Sequence, residues 1–392
     1  MSTENSTFRK RDLIVPVFLP SLLFTAGEGA IIPILPAAAE KMGANLAMAG
    51  LLGGIILLGT VLFDLPAGRV VAVLGERRSM ILSALIAAAA LIGAQLSTTL
   101  IELGACMVII GAMNATFGLA RHSYLAENVP FEQRARTLSL MGGMFRGGGL
   151  IGPLIGSAVI FSFGLNWVYT VAVSLALISA IILYFGPKDP ISEVTEAVRL
   201  SPAKIIYKYR ERLFTVGLAA MLVSVMRTAR SIGLPLWGIY IHMHPGQVEL
   251  IIGIAGALDF ALFYVSGQVM DRFGRRWALI PMLVGMAIAN FALLGAHDST
   301  TFLLVALLMS VANATGSGVV LTLGADISPA EERSDFLAVF RVLTDGGSAA
   351  TPMLLSALTA LIALPGAILS FGLLSIFGAF WGHRSLNKMG IR

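Results

Sequence analysis

The sequence predicts an all-α membrane protein of twelve transmembrane helices arranged as two six-helix bundles. Three observations predict it. Hydrophobic residues fill 57% of the 392 positions and charged residues only 12%, with a mean hydropathy of +0.85. A soluble domain needs roughly 25% charged residues to stay dissolved. The apolar residues fall into runs long enough to cross a bilayer, which takes about 20 residues. The basic residues fall between alternate runs, on one side of the membrane.

The spans are placed at 13–36, 47–69, 79–97, 101–122, 137–161, 166–186, 214–241, 247–270, 277–296, 301–323, 336–358 and 364–384. Backbone amides in lipid must be satisfied within the segment, so each run is a helix. The alternating short stretches of a barrel do not appear. Arg9-Lys10-Arg11 precedes the first run. That run is too long for a signal-peptide core, and it reads as an uncleaved first span. Of 27 Lys and Arg, roughly 22 lie at the N-terminus, in the even-to-odd loops and in the C-terminal tail. Lys41 stands on the opposite side. Both termini are therefore expected in the cytoplasm, and the span count is even.

The longest polar stretch, 187–213, divides the spans six and six. It marks a cytoplasmic linker between an N-terminal bundle, 1–186, and a C-terminal bundle, 214–392. The halves resemble each other. Glu28 stands five before Pro33, and Arg230 five before Pro235. Arg146 stands seven before Pro153, and Asp345 seven before Pro352. The loop after span 4 reads Glu127-Asn-Val-Pro130-Phe-Glu132-Gln-Arg134, and the loop after span 10 reads Asp326-Ile-Ser-Pro329-Ala-Glu331-Glu-Arg333. Parallel six-helix repeats are a transporter architecture.

Composition also excludes. The net charge of +5 is not gathered on one face with aromatics, as nucleic-acid binding requires. Cys106 is the sole cysteine, so no internal disulfide or cysteine metal cage forms. His242 and His244 flank Met243 without a ligand motif, and no cofactor motif, nucleophile triad or phosphate loop is present. Pro33, Pro36, Pro235 and Pro352 are expected to kink helices. Trp167 and Trp237 are expected at the membrane interface.

The loop between spans 8 and 9 reads Gly267-Gln-Val-Met-Asp271-Arg272-Phe-Gly274-Arg275-Arg276. It resembles the signature cytoplasmic loop of the major facilitator superfamily at all six fixed positions. Gly267 would allow close helix approach. Asp271 would dock on an opposing helix N-terminus, and the arginines would hold the loop at the cytoplasmic surface. The related loop between spans 2 and 3, Gly68-Arg69-Val-Val-Ala72-Val73-Leu-Gly75-Glu76-Arg77-Arg78, departs from the pattern. Ala72 and Val73 replace its acid and base, and Asp64 is the candidate substitute acid. In span 5, Gly148-Gly-Leu-Ile-Gly152-Pro153-Leu-Ile-Gly156-Ser157 is similar to a motif of the drug–proton antiporters of that superfamily, with Ser157 for its last Gly. The Arg that many antiporters carry in span 4 is replaced by Met107, with Gly111 retained four residues on.

A charge at the bilayer centre costs about 2.5–3.5 kcal/mol even on the most lenient scale, so embedded charges need a reason. The deep ones are Glu28, Arg146, Arg227, Arg230, Asp259, Arg341 and Asp345, while Asp64 and Arg121 are placed near cytoplasmic helix ends. Arg341 and Asp345, four apart, can pair on one helix. Arg146 is expected to meet Asp259, and Glu28 to meet Arg230. Asp259, Glu28 and Asp345 are the candidate proton-coupling residues, and Arg146, Arg227 and Arg230 the candidate cavity residues. The resemblance implies a monomeric secondary transporter of the cell membrane, with a small-molecule substrate, protons and membrane lipids as partners and no enzymatic chemistry. Its expected activity is proton-coupled export of small amphipathic compounds, with symport of a small organic anion as the alternative.

Overall fold

The computed structural model describes residues 17–129, 131–186 and 202–391. The side chains at 126–128, 131–136, 138, 139, 264–266, 271 and 334 lie outside that description. The described chain is helical, with no strand. In order it runs α1 (Leu19–Ile31), a 3-10 turn (Ile32–Ile34), α2 (Leu35–Lys41), α3 (Leu46–Leu74), α4 (Glu76–Leu96), α5 (Leu100–Asn128), α6 (Phe131–Phe163) and α7 (Trp167–Phe185). It continues through α8 (Pro202–Lys208), α9 (Arg210–Arg212), a π turn (Leu213–Gly217), α10 (Leu218–Tyr240), α11 (Pro245–Phe273), α12 (Arg276–Leu293), α13 (Ser299–Thr315), α14 (Val319–Ile327) and α15 (Arg333–Lys388).

Eleven of the described helical stretches are long and apolar enough to cross a membrane. The last of them, 54 residues, would be about 80 Å long if straight, far more than one bilayer. It is interrupted by non-helical backbone at Ile362 and Ala363. The sequence places a boundary at the same point, between its spans 336–358 and 364–384.

Local chemistry sets the ends. Thr99 and Glu102 form a reciprocal capping box at the start of α5. Asp298 accepts from the Thr300 and Thr301 amides at the start of α13, and these bonds hold its carboxyl below the usual range. His244 Nδ1 accepts from the Gly246 amide, and Pro245 opens α11. The histidine is thus a helix cap. Gly75 (φ +79°) and Gly274 (φ +96°) adopt a left-handed backbone between α3 and α4 and between α11 and α12. Side chains with a Cβ resist that conformation. They stand at the same separation along the chain as Pro130 and Pro329, so the repeat extends into these turns. The prolines act unequally. Pro33 lies in the 3-10 turn and Pro36 opens α2, whereas Pro235 and Pro352 sit inside continuous helices.

The chain forms two compact units. The first comprises Met1–Ile31 and Leu58–Val194, the second Ile32–Leu57 and Thr195–Arg392. In the first, α1 packs on α6 and α7, and α4 on α5 and α7. Phe24 stacks on Phe117 with ring centroids 4.4 Å apart. Arg77 Nε donates to the Leu183 carbonyl at 2.7 Å, and Nη2 to that of Tyr184, capping the end of α7. In the second, α10 packs on α15 and on the 3-10 turn and α2, while α13 packs on α11 and α12. Gly54 there lies so close to Pro352 that an added Cβ would fall 2.1 Å from its ring.

Two expectations change. Trp237 is not an interface anchor: it is 1% exposed, and its indole donates to the Ala296 carbonyl at 3.0 Å. Position at a helix end predicted water, but the residue lies on the face of α10 that packs inward. Trp237→Phe is expected to lower thermal stability by about 1 kcal/mol, the net worth of that bond, measurable by heat denaturation in detergent. Trp167 is half exposed, as an interface residue should be. Gly267, expected at a close helix approach, faces open space among the described residues.

Candidate functional site

Glu28 sits on α1 in the first unit. A carboxylate there needs a donor, and Asn114 of α5 supplies one: Nδ2 donates to Oε1 at 2.9 Å. Two turns further along α5 stands Arg121. Arg121 is 3% exposed, and its guanidinium lies 4.0 Å from the centre of the Phe145 ring. Sequence reading placed it at a cytoplasmic helix end. The helix instead continues to Asn128, about 10 Å further at 1.5 Å per residue, which leaves Arg121 buried. Met107, standing where antiporters carry Arg, is fully buried.

Glycines position this group. A Cβ on Gly152 of α6 would lie 2.4 Å from the Ala26 carbonyl and 2.6 Å from the Ala30 amide, and one on Gly148 would meet Thr25 at 2.7 Å. The two backbones therefore touch on either side of Glu28. Gly156 is buried, and Pro153 lies within α6 without breaking it. Arg146 is half buried and engaged in further interactions.

The second unit holds a comparable bond, with its carboxylate on a different helix of the repeat. Asp259 of α11 accepts from Asn313 Nδ2 of α13 at 2.8 Å. Asn313 stands as far from Asn114 as Pro329 does from Pro130, so the two asparagines are repeat equivalents, each holding an embedded carboxylate. Three residues beyond Asn313 the helix breaks, at residues 316–318, where Gly318 has φ +77°. A broken helix frees carbonyls that need donors. Arg227 Nη2 donates to the Gly316 carbonyl at 2.6 Å, and Arg230 Nη2 to Ser310 Oγ at 2.6 Å. Both arginines, three apart on α10, are thus turned toward α13 and its break. Asn313→Ala would remove a charge-assisted bond worth about 1.5–3 kcal/mol. Transport is expected to fall about tenfold or more, measured as initial rates in vesicles.

Arg341 and Asp345 pair at 3.1 Å on one helix, largely exposed. The pairings expected of Glu28 with Arg230 and of Arg146 with Asp259 join residues of different units. Within the units, the observed partners are Asn114 for Glu28, Asn313 for Asp259 and Ser310 for Arg230. Asp64 and Gly68 lie on α3, short of the Gly75 turn. Arg272 is exposed. Arg275 forks onto Asp326, Nε to Oδ2 at 2.7 Å and Nη2 to Oδ1 at 3.2 Å. Arg276 bonds Asn387 near the end of α15. The Asp271 side chain lies outside the described residues. A cavity of about 600 Å³ in the second unit is lined by Glu40, Asn45, Tyr240, Thr359 and Ala363. None of the predicted site residues lines it.

Sequence reading missed Asn114, Asn313 and Glu249, and it named Arg121 without counting it among the site residues. The asparagines were legible in principle, since they fall on the repeat already visible in the flanking loops.

The family model of the Major Facilitator Superfamily matches residues 17–226 and 216–385. The chain belongs to the major facilitator superfamily. This major facilitator chain is similar to an uncharacterised MFS-type transporter of Mycobacterium tuberculosis (strain CDC 1551 / Oshkosh). That match is 22% identical over 315 residues, covering 73% of the chain and 45% of the relative. It is also 24% identical over 200 residues to multidrug resistance protein MdtG of Klebsiella pneumoniae (strain 342), covering 50% of the chain and 48% of that protein. These matches span about half the length of the curated relatives. A bacterial homologue of the human lysosomal transporter Spinster, solved inward-facing and unoccupied, has the same fold. The TM-score is 0.79 at 13% identity, over 97% of each chain.

Proposed function

We propose that this major facilitator transporter exports small amphipathic, drug-like compounds in exchange for protons. It would do so by alternating access, as a monomer in the cell membrane with both termini cytoplasmic. The moving bodies would be six-helix bundles, 1–186 and 214–392, joined by the linker 187–213. The observation that carries proton coupling is the pair of bonds that repeat-equivalent asparagines make to embedded carboxylates, Asn114 to Glu28 and Asn313 to Asp259. A carboxamide donates to an ionised carboxylate and can rotate to accept from a protonated one. Such a partner supports both charge states, as a coupled carrier requires. Asp345, already bonded to Arg341 on its own helix, ranks behind them. Arg146, Arg227 and Arg230 are the proposed cavity residues. The resemblance to MdtG supports the substrate class.

The test is transport in inside-out vesicles with ethidium as probe. An imposed acid-inside gradient should drive ethidium accumulation, with proton release matching ethidium entry. Absence of any probe-dependent proton movement would overturn the reading. One observation favours the alternative, symport of a small organic anion: two arginines beside a broken helix suit a carboxylate. Accumulation of an anion together with protons would select it.

The signature loop gates the cytoplasmic side in this reading. Gly267, Asp271, Arg272, Gly274, Arg275 and Arg276 form it in the second half, and Asp64, Gly68 and Gly75 in the first. Asp271→Asn is expected to reduce transport about tenfold, the loss of roughly 1.4 kcal/mol from one docking interaction. Expression and monodispersity should hold, and the measurement is initial rate against protein amount in the same vesicles.

A further inference from the structure

Glu249 stands one turn into α11, in a stretch able to cross the membrane. It is 1% exposed, and neither carboxyl oxygen has a hydrogen-bond partner. The other embedded acids are provided for: Glu28 by Asn114, Asp259 by Asn313 and Asp345 by Arg341. The elements packed most extensively against α11 are α13, α12, α10 and the 3-10 turn, and α14 reaches it only at the far end, through Thr322 and Met270. The helix α13 carries no ionisable residue, and its cap Asp298 is occupied with the Thr300 and Thr301 amides. The only ionisable residue of α12 is Arg276, at its first position and bonded to Asn387. Helix α10 carries Arg227 and Arg230, which donate to Gly316 and Ser310, and Tyr240 at its end. The 3-10 turn, Ile-Pro-Ile, carries none. On α11 itself the ionisable groups are Asp259, bonded to Asn313, with Tyr264, Asp271 and Arg272 further on. At the connection, His242 is exposed and His244 caps the helix. No donor among these meets Glu249.

An ionised carboxylate enclosed without a donor or a counter-charge is far costlier than the neutral acid. A residue buried in every state of the cycle would cost less as Leu or Met. An acid here is economical only if the site also opens to water, where the charge is solvated. We propose that Glu249 is a proton-binding site of this transporter, neutral in the described conformation and ionised when its end of α11 is wetted. The proposal rests on the proton-coupled reading and adds a carrier distinct from Glu28 and Asp259.

Infrared titration of the purified protein tests occupancy without any substrate. A carboxylic acid C=O band should persist at neutral pH in the wild type, be lost in Glu249→Gln, and remain in Glu28→Gln and Asp259→Asn. A wild-type spectrum with no C=O intensity beyond that of Glu249→Gln overturns the assignment. If Glu249→Gln does not fold, Glu249→Asp must shift the band, and an unshifted band overturns it equally. Gradient-driven ethidium transport then tests the carrier role. A loss of tenfold or more in Glu249→Gln supports it, and unchanged transport alongside a lost band reduces the proton to a structural one and overturns it. If the wild type moves no ethidium, the export reading fails while the infrared result still decides whether Glu249 holds a proton.

Discussion

Neutralising Asp259 or Glu28 is expected to abolish gradient-driven transport while leaving substrate binding in place. Asp259→Asn and Glu28→Gln keep shape and volume and remove only the proton site. Both acids are half buried and accept from a neutral carboxamide. Burial favours the neutral form of an acid, whereas a nearby guanidinium favours the charged form. Near Glu28, the buried guanidinium of Arg121 stands two turns along α5 from its partner Asn114. Asp345 differs, because Arg341 travels on the same helix and stays within reach. The variants are checked by ethidium accumulation under an imposed pH difference and by equilibrium binding across pH. Coupled accumulation should fall at least a hundredfold, about 2.7 kcal/mol, and the pH dependence of binding should disappear. If both variants still concentrate probe, coupling lies elsewhere, with Asp64 and Asp345 next to test.

The spans were legible because each needs only a run of apolar residues, and lipid leaves helix as the solution. The break between the last two was legible because the apolar run is far longer than one bilayer needs. The break in α13 and α14 was not. Gly316-Ser317-Gly318 reads equally as a close-packing helix face, and only the left-handed backbone at Gly318 distinguishes the two. Trp237 misled because helix position predicts depth but not which face looks inward. Arg121 misled because the helix outlasts its apolar run by a turn and more. Polar residues near that end mask its true limit. Glu249 escaped because it lies near the start of its span, where charge is ordinary. Its isolation is a property of packing that no local pattern carries. The embedded charges themselves stood out at once, since composition alone makes them costly. Their partners had to come from the fold.

Gly152→Leu is expected to remove transport altogether, through the contact that seats Glu28. At Gly152 the backbone of α6 meets that of α1 so closely that one added carbon would fall 2.4 Å from the Ala26 carbonyl and 2.7 Å from the Gly29 carbonyl carbon. These are backbone atoms, which cannot swing aside as a side-chain tip could. Leu adds three more carbons to that one, so α1 must shift or the helices must part. Overpacking of this kind costs about 1–3 kcal/mol where the structure can adjust, and more where it cannot. Glu28 lies on the same stretch of α1, one residue from Gly29. A displacement of even 1 Å there would stretch its 2.9 Å bond from Asn114 past useful length. The substitution should therefore act twice, lowering thermal stability and uncoupling the proton site. Gly152→Ala separates the effects. It adds only the single clashing carbon and should retain the fold with transport reduced about tenfold or more. The measurements are melting temperature in detergent, ethidium transport and passive proton leak in the same proteoliposomes. A fully active Gly152→Leu variant with wild-type stability and leak would show that α1 and α6 do not need this contact.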